Sequence, residues 1–161
     1  MKSGIRLQAV LSLSAAALLA GPAVAQVTTA RVTGGQVQGV VKDGVAAFKG
    51  IAFAAPPVGA LRWKSPQPVV AWQGVRKAEA YAPSCMQEPR MLAMLGAGTA
   101  TSEDCMYLNV WTGARSASEK RPVMVWIYGG AFAGGMTSSP VYEGTRFANS
   151  CVVLVSVAYR V

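Results

Sequence analysis

The stretch Val123–Gly135, VMVWIYGGAFAGG, decides how the chain is read. Five large apolar residues and a tyrosine run without a charge and stop at Gly129-Gly130; small residues then resume around a single Phe132. A strand with one wet face alternates, and this one does not. It therefore reads as a strand covered on both faces, as in parallel sheets that lie between helices. The glycine pair either only turns the chain or leaves backbone N–H groups open for something to bind.

The residues around this stretch extend the pattern. Ser139 is suited to cap a helix, with Pro140 at its first position and Glu143 in its first turn; that helix is expected to run to about Asn149. Cys151–Ala158 is a second strand with almost no polar residue. Strand, loop, helix and strand form a βαβ-like unit with a right-handed crossover as the default. One good helix cannot cover two such strands, so the 161 residues read as the front part of a larger α/β domain. Upstream, Gln36–Val41 alternates toward a strand, Lys42-Asp43-Gly44 is a turn signal and Val45–Lys49 resumes, which predicts a hairpin that Gly50–Phe53 can prolong. The proline-rich segment 55–72 reads as an extended crossing. Met91, Leu92, Met94 and Leu95 mark one short helical turn within residues 86–102, Tyr107–Trp111 is a short strand, and Gly113–Arg121 is a polar connection.

The chain opens on a segment that reads as an address, not as fold. Lys2 and Arg6 form a basic n-region, Ala9–Ala20 is apolar and uncharged, and Ala23-Val24-Ala25 is the small-x-small pattern cut by signal peptidase. Residues 1–25 are thus expected to be a signal peptide cleaved between Ala25 and Gln26, giving a secreted or periplasmic protein. The apolar run is shorter than the roughly 18 residues that span a bilayer, so no stable membrane anchor is expected. Cleavage would remove two of the positive charges behind the formal +8. The remaining basic residues are scattered and not interleaved with aromatics, which argues against nucleic-acid binding. An oxidising compartment allows disulfides. Cys85 and Cys105 flank a polar, glycine-containing segment, and a bridge there would stabilise by about 3 kcal/mol. Cys151 begins an apolar run and reads as a small buried residue. There is no CxxC spacing and no histidine, so neither metal nor cofactor is expected. Without histidine these residues also cannot form a Ser-His-Asp relay by themselves.

Five segments in order resemble the type-B carboxylesterase and cholinesterase family of α/β hydrolases. FKGIAFAAPPVGALRWKSPQP (Phe48–Pro68) is similar to the family's GIPYA-x-PP-x-G-x-LRF segment, with Ala52 in place of the usual Pro. AWQGVRKAEAYAPSCMQ (Ala71–Gln87) is similar to its W-x-GV…C-x-Q stretch. SEDCMYLNVW (Ser102–Trp111) is similar to EDCLYLNV, with Met106 for Leu. PVMVWIYGGAFAGG (Pro122–Gly135) resembles the oxyanion-loop segment and VVLVSVAYRV (Val152–Val161) the strand after it. Tyr128 stands where His is commoner in the family, and cholinesterase-like members also carry Tyr.

The resemblance implies an α/β-hydrolase fold: an antiparallel hairpin leading into a central, mostly parallel sheet, with residues 26–161 as its N-terminal part, ending ahead of the nucleophile elbow. It implies a carboxylesterase acting on small-molecule esters through an acyl-enzyme. Carried over, the amides of Gly130 and Ala131 would be oxyanion donors, Gly129 the hinge presenting them, and Phe132 a neighbour of the acyl pocket; Gly134 and Gly135 would let the loop turn back. Cys85 and Cys105 would be bridged around a loop at the gorge wall, and Arg62 and Glu103 would form a buried ion pair worth several kcal/mol if broken. Residues 86–104 hold no aromatic to grip a quaternary ammonium, which disfavours choline esters. Met86, Met91, Leu92, Met94 and Leu95 would either line the pocket or anchor the loop. No G-x-S-x-G occurs, and Ser156 lies inside a strand, so the segment alone is expected to be inactive. The alternatives are a non-catalytic adhesion or recognition module on the same fold, or a truncated product without function.

Overall fold

The structure, a computed structural model, describes residues 26–96 and 100–161; the signal-peptide reading of residues 1–25 lies outside them. Strands β1 (Thr29–Val32) and β2 (Gly35–Gln38) pair antiparallel. The predicted hairpin follows as β3 (Val40–Lys42) and β4 (Val45–Ala52), with Val40 opposite Ala47 and Lys42 opposite Val45. Its two-residue turn works because Asp43 and Gly44 both adopt positive φ, 49° and 77°, the twist that antiparallel strands accept. The expected single strand Gln36–Val41 is two: the chain breaks at Gly39, where a Cβ would come within 2.5 Å of the Ala47 carbonyl oxygen. β2 thus joins a small sheet with β1 and β5 (Val75–Lys77), while β3 enters the large one.

After the extended crossing come β6 (Ser84–Cys85), the short helix α1 (Pro89–Met94) and β7 (Thr101–Ser102), then β8 (Tyr107–Thr112), β9 (Val123–Ile127), α2 (Thr145–Asn149) and β10 (Val153–Val157). Five strands form the large sheet in the order β3-β4-β8-β10-β9. Among the described residues its first three pairings are antiparallel, and β9 with β10 is the parallel one, closed by α2 as the expected βαβ unit.

Side-chain alternation gives this sheet a core on each face. Ala46, Phe48 and Ile51 of β4 cluster with Val37 and Ala78, and Leu108 and Val110 of β8 pack against them. On the other face Val45, Trp111 and Leu154 close around Ala148 of α2. Between the strands a buried polar bridge fixes their order: the Asn109 amide donates to Ser156 Oγ at 3.0 Å, and Asn109 Oδ1 accepts the Gly50 N–H at 2.9 Å. Gly50 marks a bulge between Phe48 and Ile51, with φ 72° and the Ala80 carbonyl oxygen 2.7 Å from where a Cβ would sit. Removing Asn109 would leave the buried Ser156 hydroxyl unpaired, at a cost of about 1–3 kcal/mol, and free the half-buried Gly50 N–H.

Two expectations change. The helix expected from Ser139 to about Asn149 is split into a 3-10 turn at Pro140–Tyr142 and α2, and Ser139 caps neither, its hydroxyl donating instead to the Leu95 carbonyl. The break falls at Glu143, whose backbone is extended (φ −67°, ψ 129°); Gly144 after it is helical, and its lack of a Cβ makes room for Trp111, whose indole lies 2.6 Å from where that atom would sit. The Glu143 carboxylate takes over the capping and accepts from the Thr145 N–H and hydroxyl. Cys151 is exposed, not buried: its left-handed backbone, φ 61°, turns the chain between α2 and β10 and directs the side chain outward. Among the described residues β9 is the edge strand of this sheet, exposed along its length, with Tyr142 against Trp126.

Candidate functional site

The glycine-rich stretch leaves the C-terminal end of β9, beside the end of the parallel neighbour β10, where open α/β sheets place their ligand crevices. The loop is pinned first at Tyr128, which is 2% exposed. Its hydroxyl donates to the Tyr159 carbonyl at 2.9 Å, and the Tyr159 hydroxyl donates to the Tyr128 carbonyl at 2.8 Å. The two rings stack with centroids 4.5 Å apart. Burial is the main cause that pushes the Tyr128 phenol above its ordinary value.

The loop is pinned again at Gly135. The Gln87 side chain meets that residue like a second peptide: Oε1 accepts the Gly135 N–H at 2.8 Å, and Nε2 donates to the Gly135 carbonyl at 2.8 Å. The same Nε2 donates to the Cys85 carbonyl at 3.0 Å. Cys85 is bonded to Cys105, so the predicted disulfide is present and reaches the loop through one side chain. Gly135 itself has φ 143° and presses on Tyr128, leaving 2.1 Å between a notional Cβ and the ring.

Between these pins the backbone is unusual. Gly130 has φ 144°, and a Cβ there would lie 1.9 Å from the Gly134 carbonyl oxygen. Ala131 and Phe132 are left-handed, with φ 52° and 58°, a conformation that costs residues bearing a Cβ of order 1 kcal/mol or more each. Such outliers persist only where surrounding structure holds them. The Ala133 N–H closes the turn onto the Gly130 carbonyl at 2.9 Å. The amides of Gly130 and Ala131 donate to no protein acceptor among the described residues. They border an open apolar cleft of about 310 Å³ lined by Ile127, Tyr128, Gly129, Phe132 and Tyr159. Phe132 is 82% exposed over this cleft and meets Tyr159 edge-on at 6.3 Å. Gly129 is neither left-handed nor crowded, so the demand for glycine falls on Gly130 and Gly135 and not on the expected hinge.

The remaining predicted residues sit beside this loop. Met91 lies under Gly134 and Leu92 is buried, so both hold the disulfide loop to the body, while Met86 and Met94 face outward. Arg62 and Glu103 do pair, Nε to Oε1, but not in a buried setting: their side chains are 55% and 37% exposed. Water screens such a pair, and breaking it is expected to cost about 0–1 kcal/mol, not several. Ser156 is fully buried in β10, bonded to Asn109, as a strand serine should be. Among the described residues no group of His, Cys, Asp and Glu could hold a metal ion, and no helix is long and apolar enough to cross a membrane. The sequence alone assigns no role to Gln87 or Tyr159. Gln87 stands in the C-x-Q stretch, whose fixed spacing from Cys85 was the signal available.

Comparison with known proteins agrees with this architecture. The model of the carboxylesterase family matches residues 22–161. The fumonisin B1 esterase of Sphingopyxis macrogoltabida is 46% identical over 126 residues, covering 78% of this chain and 23% of that protein. The para-nitrobenzyl esterase of Bacillus subtilis (strain 168) is 41% identical over 128 residues, covering 78% and 26%. A solved PNB esterase superposes with a TM-score of 0.78 at 40% identity, over 83% of this chain and 28% of that one. The chain thus spans about a quarter of the length of the relatives it matches.

Proposed function

The chain belongs to the carboxylesterase family, with the fold of part of an α/β hydrolase, and from that membership we propose that the protein hydrolyses carboxylic esters of small molecules through a serine acyl-enzyme. Residues 26–161 are the N-terminal part of the hydrolase domain, and the loop 128–135 is its oxyanion loop. Attack on an ester carbonyl turns its oxygen negative. Donors already aimed at that oxygen stabilise it, one donor being worth about 3 kcal/mol, because they need no reorganisation as the charge develops. The unspent amides of Gly130 and Ala131, at the rim of an apolar cleft, are the observation that carries this reading. Phe132 and Tyr159 supply apolar walls near the acyl group. The nucleophile, the acid and the histidine come from outside these residues, which hold no histidine and no G-x-S-x-G, so the 161-residue chain alone is inactive. The Cys85–Cys105 bridge supports export to an oxidising compartment after cleavage at Ala25–Gln26.

The test is Gly130→Val in the protein expressed from its complete reading frame. The added side chain must displace Gly134 or the loop itself and carry the donors off target. Turnover of a nitrophenyl ester is expected to fall at least about 100-fold. Unchanged turnover would defeat the oxyanion assignment.

A further inference from the structure

We propose that Gln87 is a positioning residue for ester hydrolysis, holding the oxyanion loop in register by acting as a surrogate peptide between Cys85 and Gly135; the proposal rests on the esterase reading above. Three hydrogen bonds converge on one primary amide, at 2.8, 2.8 and 3.0 Å, and they use both hydrogens of Nε2 and one acceptor site of Oε1. Gln87 and Gly135 are 48 positions apart, so the contact serves tertiary placement and not local turn formation. Gly135 is the hinge on which the loop returns. It faces Tyr128, whose own bonds to Tyr159 fix the other end. With both ends held, the left-handed Ala131 and Phe132 and the crowded Gly130 have one arrangement open to them. If the Gln87 end is released, Gly135 can rotate, the contact of Gly134 with Gly130 relaxes, and the two free amides lose their common aim. The bond to the Cys85 carbonyl gives the clamp a fixed base, because Cys85 is buried and tied to Cys105. Gln87 does not line the cleft, so it acts through the loop and not on substrate.

Gln87→Glu is the sharpest probe. It keeps size and the acceptor for the Gly135 N–H, but places a carboxylate against the carbonyl oxygens of Gly135 and Cys85, where the amide had donated. In the protein from its complete reading frame, kcat for a nitrophenyl ester is expected to fall about 10- to 100-fold, with KM within about threefold. Inhibition by a trifluoromethyl ketone, whose adduct carries the oxyanion, weakens in proportion to kcat/KM. A residue that only stabilised the fold would lower the melting temperature and leave kcat per folded molecule, and the inhibitor's affinity, unchanged. Gln87→Met, of similar length and uncharged, is measured in the same way if the Glu variant does not fold, and the same split is expected. Gly130→Val separates the two claims. If it abolishes turnover while both Gln87 variants keep wild-type kcat and inhibitor affinity, the clamp is wrong and the oxyanion loop stands. If Gly130→Val is itself silent, the reading beneath the clamp has failed.

Discussion

Between Tyr128 and Gly135 the chain treats its polar groups in two ways. At the ends the chain is tied by paired bonds: the Tyr128 hydroxyl and carbonyl trade hydrogen bonds with Tyr159, and the Gly135 peptide is matched atom for atom by the Gln87 amide. In the middle, Gly130 and Ala131 leave their N–H groups without an acceptor while adopting backbone angles that residues ordinarily avoid. A turn that merely ended a strand would have no reason to combine strain with unspent donors. The combination is expected where strain is part of a working site, and anchored ends are what keep it from relaxing.

That contrast can be broken from either side. The largest effect is expected in the middle, from Gly130→Val, and shows as lost turnover. Next comes the base of the anchored side. Replacing both Cys85 and Cys105 with Ser opens a loop closed across 20 positions and should lower unfolding free energy by about 3 kcal/mol in denaturant titration. Tyr128→Phe then removes one donor and leaves the Tyr159 carbonyl without it, at a cost of about 1–2 kcal/mol. It should also change the alkaline limb of stability. Burial raises the Tyr128 phenol above the 10.0 of a free tyrosine, so the folded chain keeps a proton that the unfolded chain gives up. Its contribution is whole below pH 10 and falls as pH rises beyond it. Melting curves from pH 9 upward should decline less steeply for Tyr128→Phe than for the native protein; equal slopes would show that Tyr128 carries none of the decline. Smallest is Gly129→Ala. With open space and an ordinary backbone at that position, it should shift stability by no more than about 0.5 kcal/mol. A large loss there would mean that the glycine pair, and not Gly130 alone, carries the strain.

Local chemistry announced much of this architecture. Asp43-Gly44 prescribes its own turn, and the unbroken apolar runs at 123–128 and 151–158 are the parallel pair around α2. The five ordered segments pointed to the family, and Cys85 to Cys105. What stayed hidden depends on contacts between distant residues. The helix is interrupted at an extended Glu143, next to a Gly144 whose missing Cβ admits Trp111 from 33 positions earlier in the chain. Arg62 and Glu103 are the expected pair, yet nothing in their own segments says how much water reaches them. Cys151 follows a strand-like pattern but stands in the turn before the strand. The free amides of Gly130 and Ala131 follow the motif, whereas the clamp that holds them depends on Gln87 reaching across 48 positions, which periodicity does not encode.

On the esterase reading, the Gly130 and Ala131 amides point at a single substrate oxygen. A crystal structure of the protein from its complete reading frame, inhibited by a trifluoromethyl ketone, tests it most directly. The tetrahedral adduct's oxygen should lie about 2.7–3.1 Å from both backbone nitrogens. An adduct oxygen turned toward solvent, or held by other donors with those two amides still unoccupied, would contradict it.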